Sequence, residues 1–207
     1  MSSKHCQQND MPDLVGEQIA NSHTENKNAN NSKGFSRRKF LQLSAIGLIG
    51  VGISGWYWPN RWRYIVIHHS AGNYGNIKFL QKIHRERQAG DPVDAIPYHF
   101  IVGNGNGMAM GEIASDWRQE NHLWGAHVSA RNRDRNYRGL GICMIGNFEI
   151  NPVPEPQFQS LVSLCQQLVT RYDIPKTHIS GHGLTPGEQT LCPGKHFPMS
   201  RLLDSLS

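Results

Sequence analysis

The 207-residue sequence predicts an α/β fold: a single domain with a central mixed β-sheet flanked by helices, preceded by a disordered leader and a signal segment. Three observations predict it. Composition changes near residue 60, with the first part polar and the rest patterned. Short apolar runs then alternate with stretches of helical period, the signature of strands separated by covering helices. The length suits one ordinary domain plus extra segments.

Residues 1–35 are rich in Asn, Ser, Gln and Lys and show no apolar period. Such a segment buries too little surface to offset its ordering entropy, so disorder is expected. Ser36-Arg37-Arg38-Lys39-Phe40-Leu41 then leads into a weakly apolar stretch ending at Trp58, interrupted by Gly47, Gly50, Gly52 and Gly55. Residues 36–58 resemble a twin-arginine export signal, paired arginines ahead of a moderately hydrophobic run. The stretch falls short of the roughly 20 apolar residues that span a bilayer. Gly52-Ile53-Ser54 is a small-x-small cleavage candidate without Ala-x-Ala, so a cleaved chain and a membrane-tethered one both stay open.

The domain proper is expected over residues 59–207. Tyr64–Ile67 is apolar on both faces, as a central strand covered on two sides should be. Ile77–Arg87 follows as an amphipathic helix with Ile77, Leu80, Ile83 and His84 on one stripe. Strands are expected at Tyr98–Val102, with Tyr98 and Phe100 on one face and His99 on the other, at Leu140–Ile145 and at His178–Ser180. Pro156–Tyr172 carries Phe158, Leu161, Val162, Cys165, Leu168, Val169 and Tyr172 at i, i+3, i+4 spacing, which predicts a helix. Ser200–Leu206 closes the chain as a short helix.

The net charge is +5, from six basic and four acidic residues over 1–60 and the remainder beyond. This mild excess favours anionic partners without naming one. Of the four cysteines, Cys6, Cys143, Cys165 and Cys192, none sits in a CxxC, so no disulfide framework is expected. A Cys143–Cys165 pair stays open in an oxidising compartment.

Three pieces place a metal ligand or proton donor at a strand end. In Ile67-His68-His69-Ser70 the adjacent histidines must point to opposite faces, and His68 is the candidate. Pro97-Tyr98-His99-Phe100 offers a phenol. Ser180-Gly181-His182-Gly183 is followed, ten positions after the histidine, by Cys192-Pro193-Gly194. Imidazole and thiolate both suit zinc, so His182 and Cys192 are candidates for one ion.

In this order, His68-His69-Ser70, Tyr98-His99-Phe100, Gly125-Ala126-His127, Asn136 to Ile142, Gly146-Asn147-Phe148, Gly181-His182 and Cys192-Pro193-Gly194 resemble the type 2 N-acetylmuramoyl-L-alanine amidases. That group includes peptidoglycan recognition proteins and phage lysozyme amidases, and the resemblance runs from about Tyr64 to Leu203. It implies that His68, His182 and Cys192 hold Zn2+ with one coordination position left open, the arrangement of a catalytic site. It implies hydrolysis of the amide between N-acetylmuramic acid and L-alanine, with Tyr98 catalytic and Thr190 assisting. His127 is then expected as an outer-shell or substrate-contacting group. Apart from the resemblance, the basic run Arg131, Arg133, Arg135 and Arg138 reads either as a solvated loop or as a contact for the carboxylates of a stem peptide, with Arg131 the substrate-contact candidate. His69 and His99 are expected to pack or to support, and His84, His122, His178 and His196 to be structural or solvated. Gly111-Glu112 departs from the Gly-Arg pair of many relatives, which touches only how the substrate's peptide acids are held.

The implied partners are peptidoglycan or muropeptide and, during export, the twin-arginine translocase. The implied location is the periplasm or cell envelope, anchored if the signal stays uncleaved, and the chain is expected to be a monomer. Two other classes compete. A recognition module would bind peptidoglycan without cutting it, but typically lacks the cysteine ligand. A metal nuclease would need basic groups around the metal and, usually, carboxylate or asparagine ligands; no nucleic acid is expected.

Overall fold

The computed structural model describes residues 61–206, so the leader over 1–35, the signal segment over 36–58 and Cys6 lie outside the described residues. Strand β1 (Tyr64–His69) lies between β4 (Gly139–Met144) and β5 (Ile179–Gly181), parallel to both. Beyond β4 come β2 (Phe100–Val102), parallel, and β3 (Ile113–Ser115), antiparallel on the outer edge. The order is β3-β2-β4-β1-β5, a mixed sheet of five strands.

Strand alternation sorts the side chains into two layers. Ile65, Ile67, Leu140, Ile142 and Met144 join Phe158, Leu161, Cys165, Leu168 and Leu202 in the larger core, under the long helix and the last one. On the other face Ile101, Cys143 and Ile145 pack with Leu80 and Ile96. Each large apolar side chain buried here contributes about 1.5–3 kcal/mol.

Helix α1 (Ile77–Arg87) starts where the Asn76 side chain accepts from the Phe79 N–H, and it buries Leu80 and His84 one turn apart. Two short helices, α2 (Trp117–Glu120) and α3 (Arg133–Arg138), precede β4. Helix α4 (Glu155–Tyr172) has Pro156 in its first turn and ends at Asp173, left-handed at φ 52°. Gln157 on α4 donates to the carbonyls of Val102 and Ile145, tying the helix to the ends of β2 and β4. Helix α5 (Met199–Asp204) ends the fold. Among the described residues no helix is long and apolar enough to cross a membrane.

β4 and the last helix each begin and end one or two residues before the expected positions, and other differences from expectation have local causes. β2 begins at Phe100, because Tyr98 and His99 lie in a bend after Pro97. Strict alternation therefore fails there: Tyr98 packs with the Leu80 cluster and Phe100 with the opposite core, so they do not share a face. β5 starts one residue late because His178 closes a short 3-10 turn after Pro175. β3, α2 and α3 are too short to carry a readable period. α3 falls within the basic run, where Asp134 pairs with Arg138 and the Arg135 guanidinium stacks 3.3 Å from the Tyr64 ring centroid. Cys143 and Cys165 are free thiols on opposite faces of the sheet, which excludes the pairing left open above.

Candidate metal centre and its cleft

Parallel strands deliver their C-terminal ends to one edge of a sheet, where ligand sites of open α/β sheets form. β1 and β5 are neighbours, so His68 near the end of one and His182 just past the other meet there. Cys192 reaches them through the loop after His182. The Gly183 N–H donates to the Cys192 carbonyl at 2.6 Å, the Cys192 N–H to Thr190 Oγ1 at 3.2 Å, and the Cys192–Pro193 peptide is cis. One donor atom each from His68, His182 and Cys192 lies within 4.8 Å of the others.

Hydrogen bonds decide which histidine nitrogen is available. His127 Nε2 lies 3.3 Å from the Gly139 carbonyl, which can only accept, so His127 carries its proton there. Its Nδ1 then accepts from His68 Nε2 at 3.1 Å. His68 is left with a bare Nδ1, 3.8 Å from the Cys192 sulfur. Of the two roles expected for His127, this geometry favours the outer one, since both its nitrogens are spent on the protein. Gly125 and Gly141 make room for its ring: a Cβ at Gly141 would sit 2.6 Å from it. His182 Nε2 lies 3.1 Å from Glu188 Oε2.

Electrostatics favours neutral imidazole. Burial, and then His127, His182 and His69, hold His68 well below the ordinary histidine value. Burial pushes the Cys192 thiol up to about 11, opposed by the His69 N–H that donates to its sulfur at 3.3 Å. A dication beside the sulfur reverses that balance, since a coordinating thiol is deprotonated. One imidazole nitrogen each from His68 and His182 and one sulfur supported by an N–H make a donor set that fits zinc.

Tyr98 packs with its ring centroid 5.1 Å from that of His68. Burial first, and then Cys143 and Cys192, hold its phenol well above the ordinary tyrosine value, so it stays a donor. Thr190 Oγ1 accepts from Cys192 and keeps its own O–H to donate. His68, Tyr98, His127, His182, Thr190 and Cys192 all line one cleft of about 320 Å³. Arg131 is exposed and is not on its wall; Arg133, on α3, lines an adjoining hollow of about 560 Å³ with Trp124, Asn136 and Tyr137.

The supporting histidines turn away from the ligand cluster. His69 Nδ1 accepts from the Phe148 N–H at 3.2 Å, and His99 bridges the Gly141 N–H and the Leu123 carbonyl. His84 is structural, paired with Asp91 at 2.8 Å. Glu112 accepts from the Ala109 N–H and so serves its own turn. Glu188 is the contact to a candidate ligand that the sequence does not mark, since no local pattern surrounds it; of the basic run, Arg133 and not Arg131 lines the adjoining hollow.

Comparison with known proteins shows the family and the fold. Residues 58–195 match the family model described as N-acetylmuramoyl-L-alanine amidase. Peptidoglycan-recognition protein SC2 of Drosophila melanogaster is 29% identical over 139 residues, 65% of this chain and 69% of the relative. The solved endolysin N-acetylmuramoyl-L-alanine amidase LysCS from Clostridium intestinale superposes with a TM-score of 0.58 at 27% identity, covering 72% of this chain and 86% of that one. Drosophila peptidoglycan recognition protein SA, at 22% identity and a TM-score of 0.50, covers 67% of this chain and 76% of its own and shares the fold. With a family match that spans the whole sheet and reaches past Cys192, the chain belongs to the N-acetylmuramoyl-L-alanine amidase family.

Proposed function

We propose that this protein is a zinc-dependent amidase that hydrolyses the bond between N-acetylmuramic acid and L-alanine in peptidoglycan or muropeptides. The observation that carries the reading is the convergence of His68, His182 and Cys192 within 4.8 Å in a cleft that also holds Tyr98. When bound, zinc supplies an activated water at neutral pH and polarises the scissile carbonyl.

The chain's own residues do the rest. The Gly139 carbonyl and His127 hold His68 in its ligand tautomer. Tyr98 keeps its proton at neutral pH, so its part is to donate to the carbonyl oxygen as that oxygen gains negative charge. Thr190 assists with a hydroxyl donor and brings no charge. The water's oxygen ends on the muramoyl carbonyl carbon, the C–N bond breaks, and the L-alanine nitrogen leaves with a proton.

The domain proposed to do this is residues 59–207, behind a leader over 1–35 and a twin-arginine signal over 36–58. This reading places the protein in the periplasm or cell envelope. A reporter fused to residues 1–60 should be exported, and should stay inside when Arg37 and Arg38 are both replaced by lysine. Export that survives the replacement would rule out the pathway.

Purified full-length protein incubated with peptidoglycan and zinc should release stem peptides beginning with L-alanine, read by mass spectrometry. Cys192→Ala should reduce that release to background. Folded, zinc-loaded protein that binds the polymer yet releases nothing would make it a recognition module and remove the catalytic roles of Tyr98 and Thr190.

A further inference from the structure

Glu188 lies on the loop between two of the proposed ligands, six residues after His182 and four before Cys192. Its side chain is only 5% exposed. One oxygen, Oε2, is 3.1 Å from His182 Nε2. The other, Oε1, accepts from the Ser129 hydroxyl at 2.8 Å, and the Ser129 N–H reaches both oxygens at 3.2 and 3.3 Å. The same loop is held a second time, by Asn132 donating to the Pro186 carbonyl at 2.9 Å.

We infer that Glu188 is the positioning residue for His182: it holds the imidazole with its proton on Nε2 and so presents a bare Nδ1 to the metal. The inference rests on the zinc reading above. A deprotonated carboxylate only accepts, so a histidine nitrogen bonded to it must carry the hydrogen. The two proposed histidine ligands are therefore prepared by different means. His68 leans on a neutral relay through His127 to the Gly139 carbonyl, and His182 leans on an anion. A carboxylate behind a ligand histidine fixes ring orientation and raises ligand basicity. Charge balance points the same way. A dication with one thiolate and two neutral imidazoles keeps one positive charge, and Glu188 is the carboxylate in contact with that ligand set.

The competing role for Glu188 is purely mechanical, a clamp joining the Cys192 loop to the Ser129 wall. Ser129→Ala weakens the clamp, because it removes the 2.8 Å hydroxyl contact on Oε1 and leaves the backbone N–H contacts and the contact with His182, and the His182 tautomer, which a clamp alone does not set, separates the two roles. In the full-length protein, zinc affinity would be measured by competition with a chromophoric chelator. Imidazole nitrogen NMR on the metal-free protein would report the His182 tautomer.

Glu188→Ala should weaken zinc binding on the order of 10- to 100-fold. Glu188→Gln should lose less, because its amide oxygen can still accept from Nε2. Ser129→Ala should bind zinc within about 2-fold of wild type, well inside the range that loss of an outer-shell partner costs. His182 should be the Nε2–H form in the wild type and a tautomer mixture in Glu188→Ala. Wild-type affinity in Glu188→Ala, an equal loss in Ser129→Ala, or a proton on Nδ1 in the wild type would each overturn the inference alone. A wild-type protein that binds no zinc would sink the functional reading and this inference with it.

Discussion

Asp91 and Arg118 form a buried ion pair that braces the cleft from behind. Arg118 is 0% exposed; its Nη2 lies 2.6 Å from Asp91 Oδ2, which also meets His84 Nε2 at 2.8 Å. Arg118 Nε donates to the Ile96 carbonyl at 2.9 Å and Nη1 to that of Trp124. One guanidinium therefore spans the segments leading into Tyr98 and into His127. Burial pushes the Asp91 carboxyl up, but hydrogen bonds from His84 and the Val93 N–H, together with the Arg118 charge, hold it below the ordinary value. Asp91→Ala leaves a buried cation without its partner, at a cost of about 3–5 kcal/mol. Urea unfolding with chelator present should show that loss; a change under about 1 kcal/mol, the worth of an exposed pair, would mean that the pair is solvated. Of the two roles the sequence left open for His84, structural or solvated, its buried pairing with Asp91 decides for the first, and nothing local linked Asp91 to Arg118, 27 positions away.

Strand β4 backs the candidate ligand cluster. It carries Leu140, Ile142 and Met144 into the larger core, and Gly141 on its other face leaves the space that the His127 ring fills. A Cβ there would lie 2.6 Å from ring atoms Cγ and Cδ2, and the ring is held between Gly139 and His68. Gly141→Ala should therefore cost on the order of 1–3 kcal/mol through overpacking. By tilting His127 it should also weaken zinc binding by ~10-fold or more. Thermal unfolding of the metal-free protein and chelator competition check the two effects separately, and an unchanged result in both would show that the ring yields freely. At this scale the long elements were legible: α1 occupies the expected residues, and α4 begins one residue before its expected start. Of the short ones, β3, α2 and α3 were not, since three to six residues hold too few repeats to show a period.

Across the whole molecule, the ends of the helical layer are joined by Glu155 and Arg201. Their bidentate contacts at 2.5 and 2.8 Å tie the start of α4 to α5, with the Arg201 guanidinium 4.3 Å from the Phe158 ring centroid. Hydrogen bonds from Arg201 and then Gln159 lower the Glu155 carboxyl to about 2. A folded-state value below the unfolded one stabilises the fold above the unfolded value, and that contribution is lost as pH falls through the folded one. Glu155→Gln should therefore be less stable than wild type at pH 6. The gap should narrow between about 4.5 and about 2, and close below that. Chemical unfolding at a series of pH values tests this; a gap that ignores pH would assign the effect to packing against Phe158. Because the pair is exposed, the gap should also shrink in high salt.

Sequence alone determined the α/β class, the central β1 run, the two long helices and the opposed directions of His68 and His69. Each of these is a matter of local period, 2.0 for strands and 3.6 for helices, which a chain carries without folding. It also set out in order the residues that the cleft gathers. Tertiary structure decided what those residues face. The bare nitrogen on His68 depends on a carbonyl at Gly139, and the carboxylate against His182 depends on how one loop returns. Arg133, the first residue of α3, lines the adjoining hollow and Arg131, ahead of the helix, does not, and Cys143 and Cys165 are parted by the sheet itself. Such relations join positions far apart in the chain through turns that have no period, so they exist only once the chain has closed on itself.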